Sequence, residues 1–310
     1  LKYSSRYNSL KFDIFVNILV VLFVLSGCTK SKEIGSKENP LKFYLIPAQD
    51  LLGLEKTGKA LQQYLEKELD MSVVVELPPN YIAVVEAFGS KRADAAILNT
   101  FGYIIAKEKY DVQPRLKLVN RGRDEYFGQI IARVDGPKTI KEINGKTFAF
   151  VDPVSTSGYL FPLRYLTEQK VTVKEKIFAG SHDAVVTAVY QKKVAAGATF
   201  YTPPDSDGTP KDARWVVRAQ FPDIFEKVKI LQIVGPIPND PLVFRKDLPE
   251  ELKVKVADAL VKYLTMPDGK KNMFEMYHIT DFKKANDADY DVVRQYLKEV
   301  GKQADDFIKK

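Results

Sequence analysis

The stretch of residues 152–158, Asp-Pro-Val-Ser-Thr-Ser-Gly, carries the side chains best suited to hold an anion. It follows an apolar run that ends at Phe150 and precedes a helical pattern that begins at Tyr159. Ser and Thr hydroxyls at a helix start lie beside backbone N–H groups without intrahelical partners, and the helix dipole favours negative charge there. Gly158 lets the backbone approach a ligand closely. The stretch predicts an anion-binding turn, with an ordinary helix cap as the alternative.

A second stretch, residues 180–184 with the sequence Gly-Ser-His-Asp-Ala, places His182 where a helix is predicted to begin. An imidazole ring at this position can donate an N–H to an anion held at the first stretch. A capping turn with a solvent-facing ring is the alternative. The Ser-Thr-Ser-Gly sequence of the first stretch favours the ligand role.

Strands and helices alternate along the chain, and this alternation predicts an α/β fold with parallel-rich sheets. Ligands of such sheets bind beyond the carboxyl ends of the strands, so the loops after Ile46, Leu98 and Phe150 should meet at one edge. Strands are predicted at 41–46, 73–77, 95–98, 129–133, 147–150, 176–179, 195–200, 229–234 and 241–245. Helices are predicted at 54–69, 81–88, from 159 onward, and at 181–191, 249–264, 271–276 and 289–300.

Repetition of the strand–helix pattern after residue 129 predicts two α/β lobes. We assign residues 41–131 and 238–310 to the first lobe and residues 132–237 to the second. The proline-rich stretch 235–240 suits a chain that crosses back between lobes. Two lobes joined by two crossover strands can close on a small ligand.

The N-terminal segment has the character of a targeting signal. Basic residues precede an apolar run at 14–25, which is short for a membrane span and leads through Ser26 and Gly27 to Cys28. This pattern resembles a bacterial lipoprotein signal peptide at 1–27, whose cleavage leaves Cys28 lipidated; an uncleaved signal anchor is the alternative. Residues 28–40 are polar and predict a flexible tether, so that folding should begin near Leu41.

Composition excludes several classes of protein. The chain has 310 residues, 45% of them hydrophobic and 28% charged, which is typical of a globular protein. Its net charge of +7 comes from basic residues spread among acids without a nucleic-acid-binding motif, so we expect no nucleic acid partner. Cys28 is the only cysteine, and His182 and His278 are the only histidines. We therefore expect no disulfide and no metal site.

Four stretches together resemble the phosphate-, phosphite- and phosphonate-binding proteins of ABC importers: residues 45–50, 81–87, 152–158 and 180–184. The resemblance extends over about 41–264. It implies the type II periplasmic-binding-protein fold, no enzymatic activity and no cofactor. It also implies a monomeric receptor, lipid-anchored outside the cytoplasm, that captures a phosphorus oxyanion and delivers it to a membrane permease with a cytoplasmic ATPase.

The resemblance also implies which residues contact the ligand. Ser155, Thr156 and Ser157 would grip its oxygens, and His182 would add a ring N–H. The chemistry agrees, because three oxygens around one phosphorus call for convergent donors and no metal. Candidates from the first lobe are Tyr44, Tyr81, Asn99, Thr100 and Tyr103. Of these we favour Tyr103 with Thr100, which follow a predicted strand end, whereas Arg121 and Arg123 are expected to be solvated.

One position departs from the family pattern. Relatives that take an aminophosphonate resemble each other in having an acid just after the third strand of the second lobe, where residues 198–203 here read Ala-Thr-Phe-Tyr-Thr-Pro. Asp205 and Asp207 follow in a loop that reads as a turn. We therefore expect phosphite or methylphosphonate to bind more tightly than 2-aminoethylphosphonate, whose ammonium would be buried without a partner.

Alternative functions remain open at this point. A nucleophilic enzyme built on Ser155 or Ser157 with His182 is disfavoured, because the chain lacks a Gly-x-Ser-x-Gly elbow and the serines occupy a capping position. A receptor for a sulfonate or another small organic solute, or a periplasmic ligand sensor, would share the same fold.

Overall fold

The computed structural model describes residues 33–48, 51–205 and 207–307. The predicted signal peptide at 1–27 and the predicted lipidation site Cys28 lie outside these ranges. Two β-sheets with surrounding helices form the architecture, as the sequence predicts for a two-lobe α/β protein. Within the described ranges, no helix combines the length and apolar character that crossing a membrane requires.

The first sheet contains the parallel strands of the N-terminal region and strands from the C-terminal region. Its strands are β1 (Leu41–Tyr44), β2 (Val73–Glu76), β3 (Ala95–Ile97), β4 (Gln113–Asn120), β10 (Pro241–Phe244) and β11 (Ile279–Lys284), in the order β11-β4-β10-β3-β1-β2. Strand β1 pairs parallel with β2 and β3. Strand β10 pairs antiparallel with β3 and β4, and β11 pairs antiparallel with β4.

The second sheet repeats this arrangement. Its strands are β5 (Glu125–Arg133), β6 (Thr147–Phe150), β7 (Glu175–Phe178), β8 (Ala196–Tyr201) and β9 (Val228–Pro238), in the order β7-β6-β8-β5-β9. Strand β6 is parallel to β7 and β8, and β5 is antiparallel to β8 and β9. In each sheet, three parallel strands lie beside an antiparallel strand that arrives from the other sheet. Both sheets are therefore mixed, and the three neighbouring parallel strands in each agree with the prediction of parallel-rich sheets.

Helices cover the faces of both sheets. They are α1 (Leu51–Leu69), α2 (Tyr81–Gly89), α3 (Thr100–Tyr110), α4 (Phe161–Glu168), α5 (His182–Tyr190), α6 (Ala213–Val216), α7 (Ile224–Lys227), α8 (Glu250–Tyr263), α9 (Pro267–Tyr277) and α10 (Asp291–Glu299). A π-helical turn, Thr156–Leu160, leads directly into α4. Three elements are not predicted from the sequence. Gly102 weakens the pattern of α3, Pro114 weakens that of β4, and β11 is a polar strand at the edge of the sheet.

The two connections between the sheets lie side by side. Asn239 follows β9 and is fully buried. Its amide nitrogen donates to the carbonyl oxygen of Leu118 in β4 (3.0 Å) and to that of Arg123 between β4 and β5 (2.7 Å). The lobe boundary predicted after residue 131 lies inside β5, which pairs with the second sheet along its whole length. By strand pairing, the chain changes sheets between β4 and β5 and again between β9 and β10.

The segment before β1 is folded against the first lobe from residue 34 onward. The N–H of Gly35 donates to the carbonyl oxygen of Asn39 (2.8 Å), and the N–H of Ser72 donates to the carbonyl oxygen of Gly35 (2.7 Å). Ile34 packs against the apolar core of the first sheet. The folded part of the chain therefore includes residues 34–40, with a bridge between Ser36 and Asn39, and begins before the predicted start near Leu41.

Apolar packing is continuous between the lobes on the side of helix α10. The ring of Tyr296 in α10 lies 4.5 Å from that of Phe161 in α4, and Glu299 pairs with Arg164 at 2.6 Å. Residues of α3 belong to the same buried cluster as the second sheet. Helix α3 and the π-helical turn are therefore held close together, and the cavity described next lies at this junction.

Candidate ligand-binding site

A small cavity lies between the two lobes, with a volume of about 110 Å³. Sites for drug-sized ligands have volumes of roughly 300–1,000 Å³. The cavity therefore suits a ligand of only a few heavy atoms, and both lobes contribute to its walls.

The predicted anion-binding turn forms one wall. Ser155 caps the π-helical turn by accepting a hydrogen bond from the N–H of Gly158 at 3.1 Å, and the N–H of Leu160 reaches back to the Ser155 carbonyl at 3.0 Å. Both Ser155 and Ser157 line the cavity and are 2% exposed. A Cβ at Gly158 would lie 2.4 Å from Val151, so only glycine fits there. The turn thus presents hydroxyls beside the unpaired N–H groups of a helix start.

Thr156 has a different role from its serine neighbours. Its hydroxyl oxygen accepts from the N–H of Phe101 (2.9 Å) and the amide of Asn99 (3.1 Å), and it lies 2.9 Å from the hydroxyl of Thr100. All three partners stand at the start of α3 in the first lobe. Thr156 lines the cavity, but its oxygen mainly joins the two lobes in this closed arrangement.

His182 enters the cavity from the second lobe with a defined tautomer. The N–H of Phe200 donates to Nδ1 at 3.2 Å, and the Thr199 hydroxyl lies 2.8 Å from the same nitrogen. Nδ1 is therefore an acceptor, and the ring hydrogen belongs on Nε2. Burial lowers the pKa of His182 to about 4, so the ring is neutral at physiological pH. His182 can serve a ligand as a neutral N–H donor.

Two tyrosines add phenolic hydroxyls. Tyr126 on β5 lines the cavity, and its hydroxyl interacts with the hydroxyls of Ser157, Thr100 and Thr156. Tyr81, at the start of α2, lines the opposite side and is 2% exposed. Burial raises the pKa of both phenols well above their usual range, so both stay protonated.

Asp240 supplies an acidic group that the sequence analysis does not assign to the site. It lines the cavity immediately before β10 and accepts a hydrogen bond from the backbone N–H of Thr100. Its Oδ1 has no hydrogen-bond partner among the described residues. Burial raises the pKa of the Asp240 carboxyl to about 7. Near neutral pH this group can exchange between a hydrogen-bond acceptor and a donor.

Three first-lobe candidates do not line the cavity. Thr100 is fully buried and uses its hydroxyl on Thr156. Tyr103 lies one turn further along α3, where its hydroxyl bonds to Asp287 and its ring packs on Tyr290. Tyr44 packs on the first lobe, where burial and the nearby carboxylate of Glu76 raise its phenol pKa. The expectation that Tyr103 with Thr100, or Tyr44, walls the ligand site is therefore not met by the cavity, because α3 turns Thr100 and Tyr103 into the core and Tyr44 packs within the first lobe at the end of β1.

The lobe connections supply the cavity residues that were missed or assigned elsewhere. Tyr126 and Asp240 follow the two crossings, and Arg121, which was expected to be solvated, also lines the cavity. In the segment 198–203, which contains no acidic residue, Phe200 and Thr202 line the cavity. One signal in the sequence could have located these residues: polar side chains within a predicted crossing between lobes lie at the floor of the cleft.

Comparisons with known proteins agree with this geometry. A family model described as the periplasmic substrate-binding protein of a phosphonate ABC transporter matches residues 43–290. The phosphonates-binding periplasmic protein of Escherichia coli K12 is 24% identical over 280 residues, covering 88% of this chain and 80% of that protein.

Solved structures show the same fold. A binding protein component of an ABC phosphonate transporter from Pseudomonas aeruginosa superposes with a TM-score of 0.73 at 21% identity, covering 84% of this chain and 86% of that one. PhnD1 of Prochlorococcus marinus in complex with methylphosphonate gives a TM-score of 0.69 at 22% identity, covering 85% and 98%. These likenesses confirm the predicted periplasmic-binding-protein fold. Since the family model spans most of the chain, the protein belongs to the family of periplasmic substrate-binding proteins of ABC phosphonate transporters.

Proposed function

We propose that the cavity binds a monoprotonated phosphorus oxyanion, such as a small phosphonate or phosphite. Its charged oxygens would accept hydrogen bonds from the turn at 155–157, from His182 and from Tyr126. Its remaining P–OH would donate to Asp240. One observation carries the proposal. The same cavity is lined by a set of hydrogen-bond donors and by the carboxyl group of Asp240, one oxygen of which has no hydrogen-bond partner among the described residues.

The donor wall accounts for the binding of an anion. Hydroxyls, an imidazole N–H and a helix start supply hydrogen bonds to charge without the desolvation cost of a buried counter-ion. Because Tyr126 and His182 are held in their neutral, protonated forms, the donor set does not change across the physiological pH range.

Asp240 accounts for the selection of phosphorus over sulfur. The second proton of a phosphorus oxyanion is lost close to neutral pH, as in phosphate esters with a second pKa of about 6, so the ligand and Asp240 can share one proton between them. A sulfonate has no such proton, so above the pKa of Asp240 it would place an oxygen lone pair against the carboxylate and leave that acceptor unsatisfied. The geometry therefore favours a phosphonate receptor over the sulfonate alternative.

The proposal includes the location and partners of the protein. Capture of the ligand outside the cytoplasm and delivery to a membrane permease with its ATPase follow from the family. A lipid on Cys28 is supported by the lipoprotein-like pattern of residues 14–28 alone, and a monomeric state by the family resemblance alone. Replacement of Cys28 by Ser should abolish metabolic fatty-acid labelling of the protein, and persistent labelling would refute the anchor.

An isosteric pair of ligands tests the binding chemistry. Methylphosphonate and methanesulfonate have nearly the same shape, but only the first carries a proton for Asp240. At pH 8, above the pKa of Asp240, we expect methylphosphonate to raise the melting temperature, as a ligand of the native state does, and methanesulfonate to leave it unchanged. Phosphite, phosphate and 2-aminoethylphosphonate complete the panel. Equal stabilisation by methanesulfonate would refute the role of Asp240, and no stabilisation by any phosphorus compound would refute the function.

A further inference from the structure

Beyond the donor turn, the cavity contains a cationic side chain whose hydrogen-bonding capacity is unused. Arg121 lines the cavity with its side chain 15% exposed. Its described contacts are an ion pair with Asp205, whose nearest atoms are 3.6 Å apart, and the face of the Phe274 ring at 4.8 Å. Neither contact is a hydrogen bond. Among the described residues, none accepts a hydrogen bond from this guanidinium, although it has five N–H donors.

The charge around Arg121 is positive. Asp205 is shared with a second cation, because Lys211 lies 3.3 Å from the same carboxylate oxygen. Lys211 and Arg121 are both largely buried, with 14% and 15% of their side chains exposed. Two cations therefore face one carboxylate, and one positive charge remains for a ligand.

His278 lies beside Arg121 in the same wall. The N–H of Arg121 donates to the His278 carbonyl oxygen at 3.2 Å, and His278 lines the cavity. Burial, together with the Arg121 and Lys211 cations, lowers the pKa of His278 to about 4, so its ring is a neutral donor and acceptor. The neighbouring Asn120 adds a cavity-lining amide that can present either its NH₂ or its oxygen.

A backbone hydrogen bond holds this pair together. Arg121 and His278 both adopt left-handed conformations, with φ of 51° and 58°. His278 does so as the C-cap of α9, and five other non-glycine residues of the described chain share the conformation away from the cavity. What is particular to this pair is the bond between the two residues, which places two cavity-lining side chains next to each other.

Arg121 and the donor turn have different contact partners. Asp240 reaches Thr100, which contacts Thr156 of the turn. The described contacts of Arg121 are instead with Asp205, Phe274 and His278. A ligand whose phosphorus lies between the turn and Asp240 would therefore extend its carbon substituent toward Arg121.

We propose that Arg121 and His278 form a second subsite, which holds an anionic group such as a carboxylate on the carbon substituent of the phosphonate. The inference rests on the proposed function, because the phosphonate group places the substituent. The subsite makes a carboxyalkylphosphonate the preferred class of ligand. It disfavours an ammonium group, which would face the uncompensated cation.

Isothermal titration calorimetry with three ligands tests the subsite. Phosphonoacetate, methylphosphonate and 2-aminoethylphosphonate share the phosphonate and differ in the charge of the tail. We expect phosphonoacetate to bind about tenfold or more tightly than methylphosphonate, as one or two charge-assisted hydrogen bonds would give. We expect 2-aminoethylphosphonate to bind least tightly.

Variants of the wild-type chain assign the effect to Arg121. Arg121→Gln should remove the advantage of phosphonoacetate, because it should weaken phosphonoacetate binding more than methylphosphonate binding, whereas Arg123→Gln, an exposed neighbour outside the cavity, should change neither. Asp205→Asn should increase the advantage of phosphonoacetate, because it removes a competing carboxylate. Methylphosphonate binding in each variant also confirms that the variant is folded.

The outcomes separate this inference from the proposed function. Failure of methylphosphonate to bind the wild-type protein would overturn the proposed function itself. If methylphosphonate binds and phosphonoacetate has no advantage, the second subsite is refuted. A loss of both affinities to the same extent in Arg121→Gln would also refute it, since Arg121 would then only hold the lobes together.

Discussion

The two walls of the cavity differ in how the chain builds them. The donors of the second-lobe wall lie mainly in two short continuous stretches, 155–157 and the start of α5. The first-lobe wall is assembled from Tyr81, Arg121, Asp240 and other residues far apart in the chain, and it carries the guanidinium and the carboxyl group. The difference teaches that the affinity for an anion is a local property of the sequence. The choice among anions is a property of the assembled fold.

The largest effect is expected from removing two donors of the second-lobe wall. Ser155→Ala combined with Ser157→Ala should weaken methylphosphonate binding a hundredfold or more, because each charge-assisted hydrogen bond contributes about 1.5–3 kcal/mol. The loss of the Ser155 cap should also lower the free energy of unfolding by about 1 kcal/mol. Calorimetry measures the first effect and thermal unfolding the second.

Ser181→Ala is the matched control for this double variant. Ser181 also caps a helix, by accepting from the N–H of Ala184, but it does not line the cavity. It should cost similar stability and leave affinity unchanged. Equal affinities of the double variant and wild type would show that the second-lobe wall does not bind the anion.

A smaller effect, confined to stability and its pH dependence, is expected from the first-lobe wall. The Asp240 carboxyl has a pKa of about 7 in the folded protein, against about 3.9 for an unfolded chain. The protonated Asp240 carboxyl therefore contributes stability that is lost as pH rises from about 4 to 7, by on the order of a few kcal/mol, whereas the buried neutral rings of His182 and His278 contribute the opposite trend below about pH 6.5. Asp240→Asn should remove the Asp240 contribution and keep that of the histidines, so the stability of the variant relative to wild type should rise between pH 4 and pH 8.

Melting temperatures of the ligand-free proteins between pH 4 and 8 measure this difference. Asp207→Asn is the control, because it changes an exposed carboxylate outside the cavity. Asp94 is unsuitable because it forms an ion pair with Arg245. Asp207→Asn should leave the slope over the upper part of this range as in wild type. Parallel curves for Asp240→Asn and wild type would mean that Asp240 is ionised throughout.

The smallest effect compares the two histidines, one from each wall. His182→Ala should weaken methylphosphonate binding about tenfold, and by the same factor at pH 6 and pH 8, because its pKa of about 4 keeps the ring neutral. His278→Asn, which keeps a residue tolerant of left-handed backbone, should leave methylphosphonate affinity unchanged. A His182 effect that appears only at pH 6 would show that the charged imidazole binds the ligand.

Sequence reasoning predicts most of the fold because its elements have strong local patterns. Helix α1 and strand β6 follow from apolar periodicity, and the Pro-rich crossing at 235–240 follows from composition. Helix α3 is missed because Gly102 interrupts its pattern, and this one omission explains the wrong expectation for Tyr103. With α3 in place, Tyr103 lies a full turn behind the helix start and belongs to the core.

The site divides in the same way. Ser155, Ser157 and His182 could be predicted because a capping sequence is visible without knowledge of the fold. Asp240 is visible in the sequence only as a polar residue of the predicted crossing, and its raised pKa could not be predicted because it arises from burial by distant elements. Thr156 is correctly placed in the turn, yet its bonds to Phe101 and Asn99 require the lobes to be closed together.

The folded segment at 34–40 has a consequence for the anchored protein. If Cys28 carries the lipid, as proposed, the six residues 28–33 connect the acyl chains to the folded segment, and six residues span at most about 20 Å whatever their conformation. The binding domain would then remain within one domain diameter of the bilayer surface. Such a short covalent attachment raises the effective concentration of the receptor at a permease in the same membrane, so a modest affinity between the two proteins would suffice for repeated delivery.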